Sequence, residues 1–204
     1  MNKKILLDMD GVIVDFIEGI CKYHKLENPY DKGEHLGNWD VSDYWKMDKE
    51  TFWTGVSSIF WRDLNPYRDY ADLINLCIAK VGQKNICLLT APPMHNAHRC
   101  SETVKGKLQW LKDRGINLPV LFGEAKHFCA GADTILIDDA DHNVDAFREA
   151  GGKAILVPRP WNTQHEVKLG TVEVIRSEWD KLHDSERNSG IIGTVLPGGK
   201  GLEV

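Results

Sequence analysis

Long apolar runs are the first thing this 204-residue chain lacks. Nowhere do about 18 apolar residues follow one another, the number a membrane-spanning helix needs, and after Met1-Asn2-Lys3-Lys4 only Ile5-Leu6-Leu7 precede the charged Asp8. This pattern excludes a spanning helix and a secretory signal. Cysteine is scarce and odd in number, five in all, and no two stand as C-x-x-C. A disulfide framework and a zinc ribbon are disfavoured, and reduced thiols in a cytoplasmic protein are expected. Positive charge is also in deficit, with 25 Lys and Arg against 30 Asp and Glu for a formal net charge of −5. No footprint for a long nucleic acid exists in such a balance, whereas a local basic pocket for one small anion remains compatible with it. Repeats are absent, and glycine without periodicity gathers only at the end, in Asn188-Ser189-Gly190 and Pro197-Gly198-Gly199-Lys200-Gly201.

What is present is a recurrence of short apolar runs bounded by turn residues: Ile5-Leu6-Leu7, Ile86-Cys87-Leu88-Leu89, Val120-Leu121-Phe122, Thr134-Ile135-Leu136-Ile137 and Ala154-Ile155-Leu156-Val157. Runs this short and this uniformly apolar suit strands covered on both faces. Between them, residues 69–80, 97–114 and 141–150 carry helical patterns, the last closed by Gly151-Gly152. Strand alternating with helix predicts an α/β fold, an open Rossmann-like parallel sheet with helices on both faces. From about Ile17 to Pro66 the alternation lapses and aromatic residues crowd, including Trp39, Trp45, Trp53 and Trp61 of the seven tryptophans. This stretch reads as a small, mainly helical cap inserted after the first strand. The expected division is therefore a core of residues 1–16 and 67–185, a cap of 17–66 and a flexible tail of 186–204.

Ligands of an open parallel sheet gather outside the carboxyl ends of its strands, so the residues just after each run carry the chemistry. Asp8 and Asp10 leave the first strand on the same edge, about 6–7 Å apart at the strand rise, and Gly11 permits a sharp exit. Carboxylates so placed suit Mg²⁺, a hard cation. One of them can attack phosphorus while the other exchanges a proton with the leaving oxygen. Taken alone, a D-x-D-G is as readily a solvated turn. Thr90 ends the second run, where its hydroxyl and the following backbone N–H, that of Ala91, suit a phosphate oxygen. Asp138 and Asp139 are adjacent like charges at a strand tip, an arrangement that asks for a cation. Lys107, on the flank of a Val104, Leu108, Leu111 stripe, is the favoured phosphate clamp and Lys126 the second candidate. A solvated lysine is an equal alternative for each. His95 and His98 have helical spacing but no third ligand, which disfavours zinc. Pro158-Arg159-Pro160-Trp161-Asn162 reads equally as a rim of the site or an ordinary loop.

Asp8-Met9-Asp10-Gly11-Val12, Thr90, a helical lysine and Asp138-Asp139 together resemble the four motifs of the haloacid dehalogenase superfamily of phosphohydrolases. More narrowly, residues 8–16, Leu64-Asn65-Pro66, Thr90-Ala91-Pro92, Lys107-Leu108-Gln109-Trp110 and Leu136-Ile137-Asp138-Asp139 resemble the 5′(3′)-deoxyribonucleotidases, over a span from Met1 to about Pro158. The resemblance implies that Asp8 is the nucleophile and a Mg²⁺ ligand that forms an aspartyl-phosphate. It implies that Asp10 is the general acid and base, with its backbone carbonyl on the metal. Thr90 and Lys107 would hold the phosphate, and Asp138 and Asp139 would complete the metal site. Ala91 departs from the family's usual serine, which removes one hydroxyl contact to phosphate. The family also buries the nucleobase among aromatic residues, a place implied here for Phe16 and, more loosely, for Trp39, Trp53 and Trp61. The same aromatics suit the core of a small helical subdomain equally well.

The expected activity is thus a Mg²⁺-dependent phosphomonoesterase acting on (deoxy)nucleoside monophosphates. The competing readings are a phosphatase for another small ester or a nucleic-acid 3′ end, and a non-catalytic nucleotide-binding protein. The expected partner is a small-molecule nucleotide, with no membrane and no long nucleic acid; a homodimer is left open.

Overall fold

The computed structural model describes residues 3–40 and 42–191, with backbone alone for 42, 43 and 183–191. Five strands, β1 (Lys4–Leu7), β2 (Ile86–Thr90), β3 (Val120–Phe122), β4 (Thr134–Asp138) and β5 (Lys153–Leu156), form one sheet in the order β3-β2-β1-β4-β5. Every pairing is parallel. This is the α/β sheet that the apolar runs predict. β1 lies in the middle, with Leu7 opposite Leu88 on one side and Ile137 on the other, so the chain leaves β1, β2 and β4 at one common edge.

Side chains alternate across the sheet and divide the core into two layers. Ile5, Leu7, Ile86, Leu88, Ile135, Ile137 and Ile155 point to the larger layer. There they meet Leu73, Ile74 and Cys77 of α5 (Tyr70–Val81), Trp110 and Leu111 of α6 (Ala97–Asp113), and Ile175 and Trp179 of α8 (Thr171–Ile191). Leu6, Leu89, Leu136, Ala154 and Leu156 point the other way, onto Val144 and Phe147 of α7 (Asp141–Glu149). Each such aliphatic side chain contributes roughly 1.5–3 kcal/mol on burial. The helix α8 was not expected from the runs above, and residues 186–191 of the expected tail belong to it. Residues 192–204 lie outside the described residues. Among the described residues no helix is long and apolar enough to cross a membrane.

Between β1 and α5 the chain makes α1 (Phe16–His24), α2 (Ser42–Trp45), α3 (Lys49–Trp53) and α4 (Ser58–Asp63). Asp15 caps α1 by accepting from the Glu18 N–H, and Asp48 caps α3 by accepting from that of Thr51. Where this excursion starts and ends, the two strands of chain are held side by side: the Asp15 N–H donates to the Asn65 carbonyl, and Val14 bridges Pro66. α4 then packs flat on α6. Gly106 makes this possible, because a Cβ there would stand 2.5 Å from both the Ser58 carbonyl oxygen and the Trp61 Cβ.

That contact corrects one expectation. The face of α6 turned inward is Thr103, Gly106, Lys107, Trp110 and Leu111, whereas Leu108 is 46% exposed. Gly106 must meet α4 and Trp110 must reach the Leu64 carbonyl, which its indole N–H does at 2.8 Å. Together they rotate the helix so that Lys107, rather than Leu108, is driven into the interior.

Candidate active site

Asp8 follows β1 directly, and its N–H donates to the Ile137 carbonyl, which extends the β1–β4 ladder by one residue and sets Asp8 beside Asp138. The chain then folds back at once. Val12, Ile13 and Val14 all donate to the Met9 carbonyl, and Gly11 adopts φ +72°, a left-handed conformation that glycine takes without strain. Asp8, Asp138 and Asp139 are all buried, and one carboxylate oxygen from each lies within 4.8 Å of the others.

Like charges this close need a counter-charge. Lys126, in a 3-10 turn (Lys126–Cys129) and itself buried, supplies one: its ammonium lies 2.6 Å from Asp138 Oδ2 and 2.9 Å from Asp8 Oδ2. Burial alone would lower the Lys126 pKa, but Asp8 and Asp138 outweigh it and raise it. Asp138 is otherwise saturated, with Oδ1 accepting from the Ala140 N–H at 3.0 Å and from Asn143 Nδ2 at 3.1 Å. Asp8 is not: its Oδ1 is buried with no hydrogen-bond partner. Burial pushes the Asp8 carboxyl up to about 7, against the pull of Lys126 and with a further push from Asp138 and Asp10. Burial likewise raises Asp139 well above the carboxylate range, reinforced by Asp138 and Asp8. Three converging oxygen donors, an orphaned buried oxygen and more negative charge than one lysine neutralises are what a hard divalent cation requires. Asp8, Asp138 and Asp139 thus fit such an ion.

A second charged link lies alongside. Lys107 donates to Asp10 Oδ2 and, at 2.6 Å, to the Thr90 hydroxyl, which is fully buried at the tip of β2. Asp10 is only half-buried, and its Oδ1 also lacks a partner. Both lysines named from the sequence therefore reach the site, but on different acids: Lys107 joins Asp10 to Thr90, and Lys126 joins Asp8 to Asp138. Ala91 is exposed at the start of the loop after β2.

The aromatic candidates divide. Phe16 stacks on Trp61 with centroids 5.2 Å apart, and Trp53 lies 6.2 Å from Phe16 and 6.5 Å from Trp61. The Lys107 ammonium sits 4.9 Å from the Trp61 ring centroid, so this cluster borders the Asp10–Lys107–Thr90 link. Trp39 is not part of it. It is 50% exposed and packs edge-on against His142, at the start of α7.

The loop after β5, left open between rim and ordinary loop, belongs to the site. Trp161 Nε1 donates to Asp139 Oδ2 at 2.7 Å, and Asn162 Nδ2 donates to the Asp139 carbonyl at 2.8 Å. The Arg159 guanidinium donates to the Gly11 and Val12 carbonyls and lies 4.0 Å from the Tyr67 ring centroid. These contacts span 22 to 148 residues of chain and leave no local periodicity to read.

With this geometry in place, the sequence matches the family described as "5' nucleotidase, deoxy (Pyrimidine), cytosolic type C protein" over residues 2–177. The chain belongs to this family. It is accordingly a phosphohydrolase of the haloacid dehalogenase superfamily and an enzyme of the nucleotidase kind. Among curated proteins none matches. Similar solved structures include a haloacid dehalogenase-like hydrolase from Streptococcus pneumoniae, with 14% identity and TM-score 0.48 over 80% of this chain and 88% of that one. A dehalogenase with an intermediate complex aligns at 10% identity and TM-score 0.49, covering 82% and 90%. An enzyme of the same superfamily from Bacteroides thetaiotaomicron, in complex with magnesium and inorganic phosphate, aligns at 14% and 0.40, covering 82% and 100%.

Proposed function

We propose that this nucleotidase-family enzyme hydrolyses (deoxy)nucleoside monophosphates to nucleoside and phosphate, using Mg²⁺ and an aspartyl-phosphate formed on Asp8. The observation that carries the reading is the meeting of three buried carboxylates, one with an orphaned oxygen, beside the Asp10–Lys107–Thr90 link.

Asp8, Asp138 and Asp139 would hold the cation, which when bound supplies positive charge against the phosphoryl oxygens. Lys107, the Thr90 hydroxyl and the Ala91 backbone N–H would hold the same phosphoryl group. Lys126 favours the anionic form of Asp8 that a nucleophile needs, against the burial that raises its carboxyl, and a bound cation would add to that pull. Asp8 attacks phosphorus in line, and Asp10, carrying a proton on the Oδ1 that Lys107 leaves unpartnered, gives it to the departing sugar oxygen. Asp10, again a base, then takes a proton from the water that releases phosphate from Asp8. The cluster of Phe16, Trp53 and Trp61, which borders Lys107 through Trp61, would offer aromatic faces to the base, and Trp39, packed on His142, would be a more distant contact. A base stacked on such a face gains roughly 1–3 kcal/mol.

The test is phosphate release from a panel of ribo- and deoxyribonucleoside monophosphates and sugar phosphates, with Mg²⁺ and then with chelator. Deoxynucleotides should lead, and chelator should stop the reaction. Sugar phosphates outpacing every nucleotide would overturn the nucleobase role of the aromatics. Asp8→Asn should abolish turnover in a folded protein, and unchanged turnover would remove the mechanism.

A further inference from the structure

Residues 157–162, which follow β5, belong to no helix, yet two of them converge on Asp139. Trp161 is buried, and its indole N–H spends itself on Asp139 Oδ2 at 2.7 Å. Asn162 is wholly buried and binds the Asp139 carbonyl at 2.8 Å and the Val157 carbonyl at 2.7 Å, tying the aspartate doublet to the exit of β5. Gly11 also stands against this carboxylate, where a Cβ would come within 2.0 Å of Asp139 Oδ2. The carboxylate is therefore packed on the Gly11 backbone and bonded to the indole. The indole is itself held from the N-terminal excursion, because Tyr30 packs against it with centroids 5.5 Å apart, and the Tyr30 hydroxyl donates to the Asn38 carbonyl at 2.9 Å.

An aspartate has two rotatable side-chain bonds, and one left free beside two other carboxylates would swing away from them. A hydrogen bond from a rigid, buried donor both fixes its rotation and withdraws part of its charge. We propose that Trp161 is a positioning residue for the cation site: its indole N–H holds one oxygen of Asp139 so that the carboxylate is presented to the ion together with Asp8 and Asp138. The inference rests on the reading of Asp139 as a cation ligand. It also gives the packing of Tyr30 on Trp161 a purpose, since that contact holds the donor in place.

The test is calorimetric Mg²⁺ binding to the full chain. Trp161→Phe, which keeps an aromatic ring and deletes the N–H, should raise the Kd by about 10–100-fold. Trp161→His, which retains a ring N–H, should recover part of that loss. Asp139→Asn should also weaken binding, and in the Asp139→Asn background Trp161→Phe should add little. Equal losses from Trp161→Phe in both backgrounds, or none in the parent, would overturn the positioning role. Unchanged affinity in Asp139→Asn would instead overturn the ligand reading and the inference with it. A measurement on the unaltered protein guards against misfolding of the variants. One of the seven indole ¹⁵N–H resonances should shift on Mg²⁺ titration and broaden with Mn²⁺, and seven unmoved resonances would sink the proposal.

Discussion

Two positions show how little freedom single residues have at the strand tips. Gly11 turns the chain at φ +72° and leaves room for Asp139, so Gly11→Ala meets both backbone strain and a direct clash with the carboxylate. The strain alone costs about 1–3 kcal/mol, and the clash displaces an acid of the candidate cation site. The variant should melt earlier and bind Mg²⁺ more weakly, as thermal unfolding and calorimetry would report. Lys107 is buried between Asp10 and Thr90. Lys107→Met fills the volume but removes the charge, and kcat/KM should fall by about 10²–10³-fold, the usual loss of one preorganised donor. A fall below tenfold would leave Lys107 a structural ion pair. Asp8, Asp10, Thr90, Asp138 and Asp139 were legible before any coordinates because each follows a short apolar run, and parallel strands send such residues to one edge. Arg159, Trp161 and Asn162 read from the sequence equally as a rim or an ordinary loop, since what they touch is decided by tertiary packing alone.

Among elements, the α4–α6 contact governs how the excursion of residues 16–66 sits on the sheet. Its hydrogen bonds, the Ser58 N–H on Glu102 at 2.7 Å and Arg62 on Asp113 at 2.7 Å, lie at its margins, and Gly106 is at its centre. Gly106→Ala would push against backbone and the Trp61 Cβ, neither of which can rotate aside. Overpacking of that kind costs about 1–3 kcal/mol. Because Trp61 lies over Lys107, KM should rise as well, and a loss of stability with unchanged KM would separate the helix contact from the site. The orientation of α6 was misread from sequence because Val104, Leu108 and Leu111 make a plausible stripe, while a buried lysine beside a glycine does not look like a core face. The helix α8 carried a readable signal in Val172, Ile175, Trp179 and Leu182, all packed in or against the main core. The glycines that follow it mask this signal in the composition.

For the molecule as a whole, the candidate cation site is a store of unfavourable charge. In the unfolded chain Asp8 titrates near 4, whereas in the fold burial moves it to about 7. Between those values the folded state holds a proton that the unfolded state has released, so without metal stability must fall as pH rises through this window. A cation displaces that proton and reverses the trend. Thermal scans at pH 5.5 and pH 8 should therefore show a larger Mg²⁺-induced rise in melting temperature at pH 8. An equal rise at both values would mean that Asp8 does not titrate in this range.

The β1–β4 ladder carries a kinetic corollary. Asp8 and Asp138 are strangers along the polypeptide, and zippering Leu7 against Ile137 is the event that forces them into company. Closing so large a loop is slow in its own right, and here it also gathers mutually repelling acids. Refolding after dilution from denaturant should thus quicken when Mg²⁺ is present, if this pairing is formed at the rate-limiting barrier, whereas formation after the barrier would show the ion only as slower unfolding.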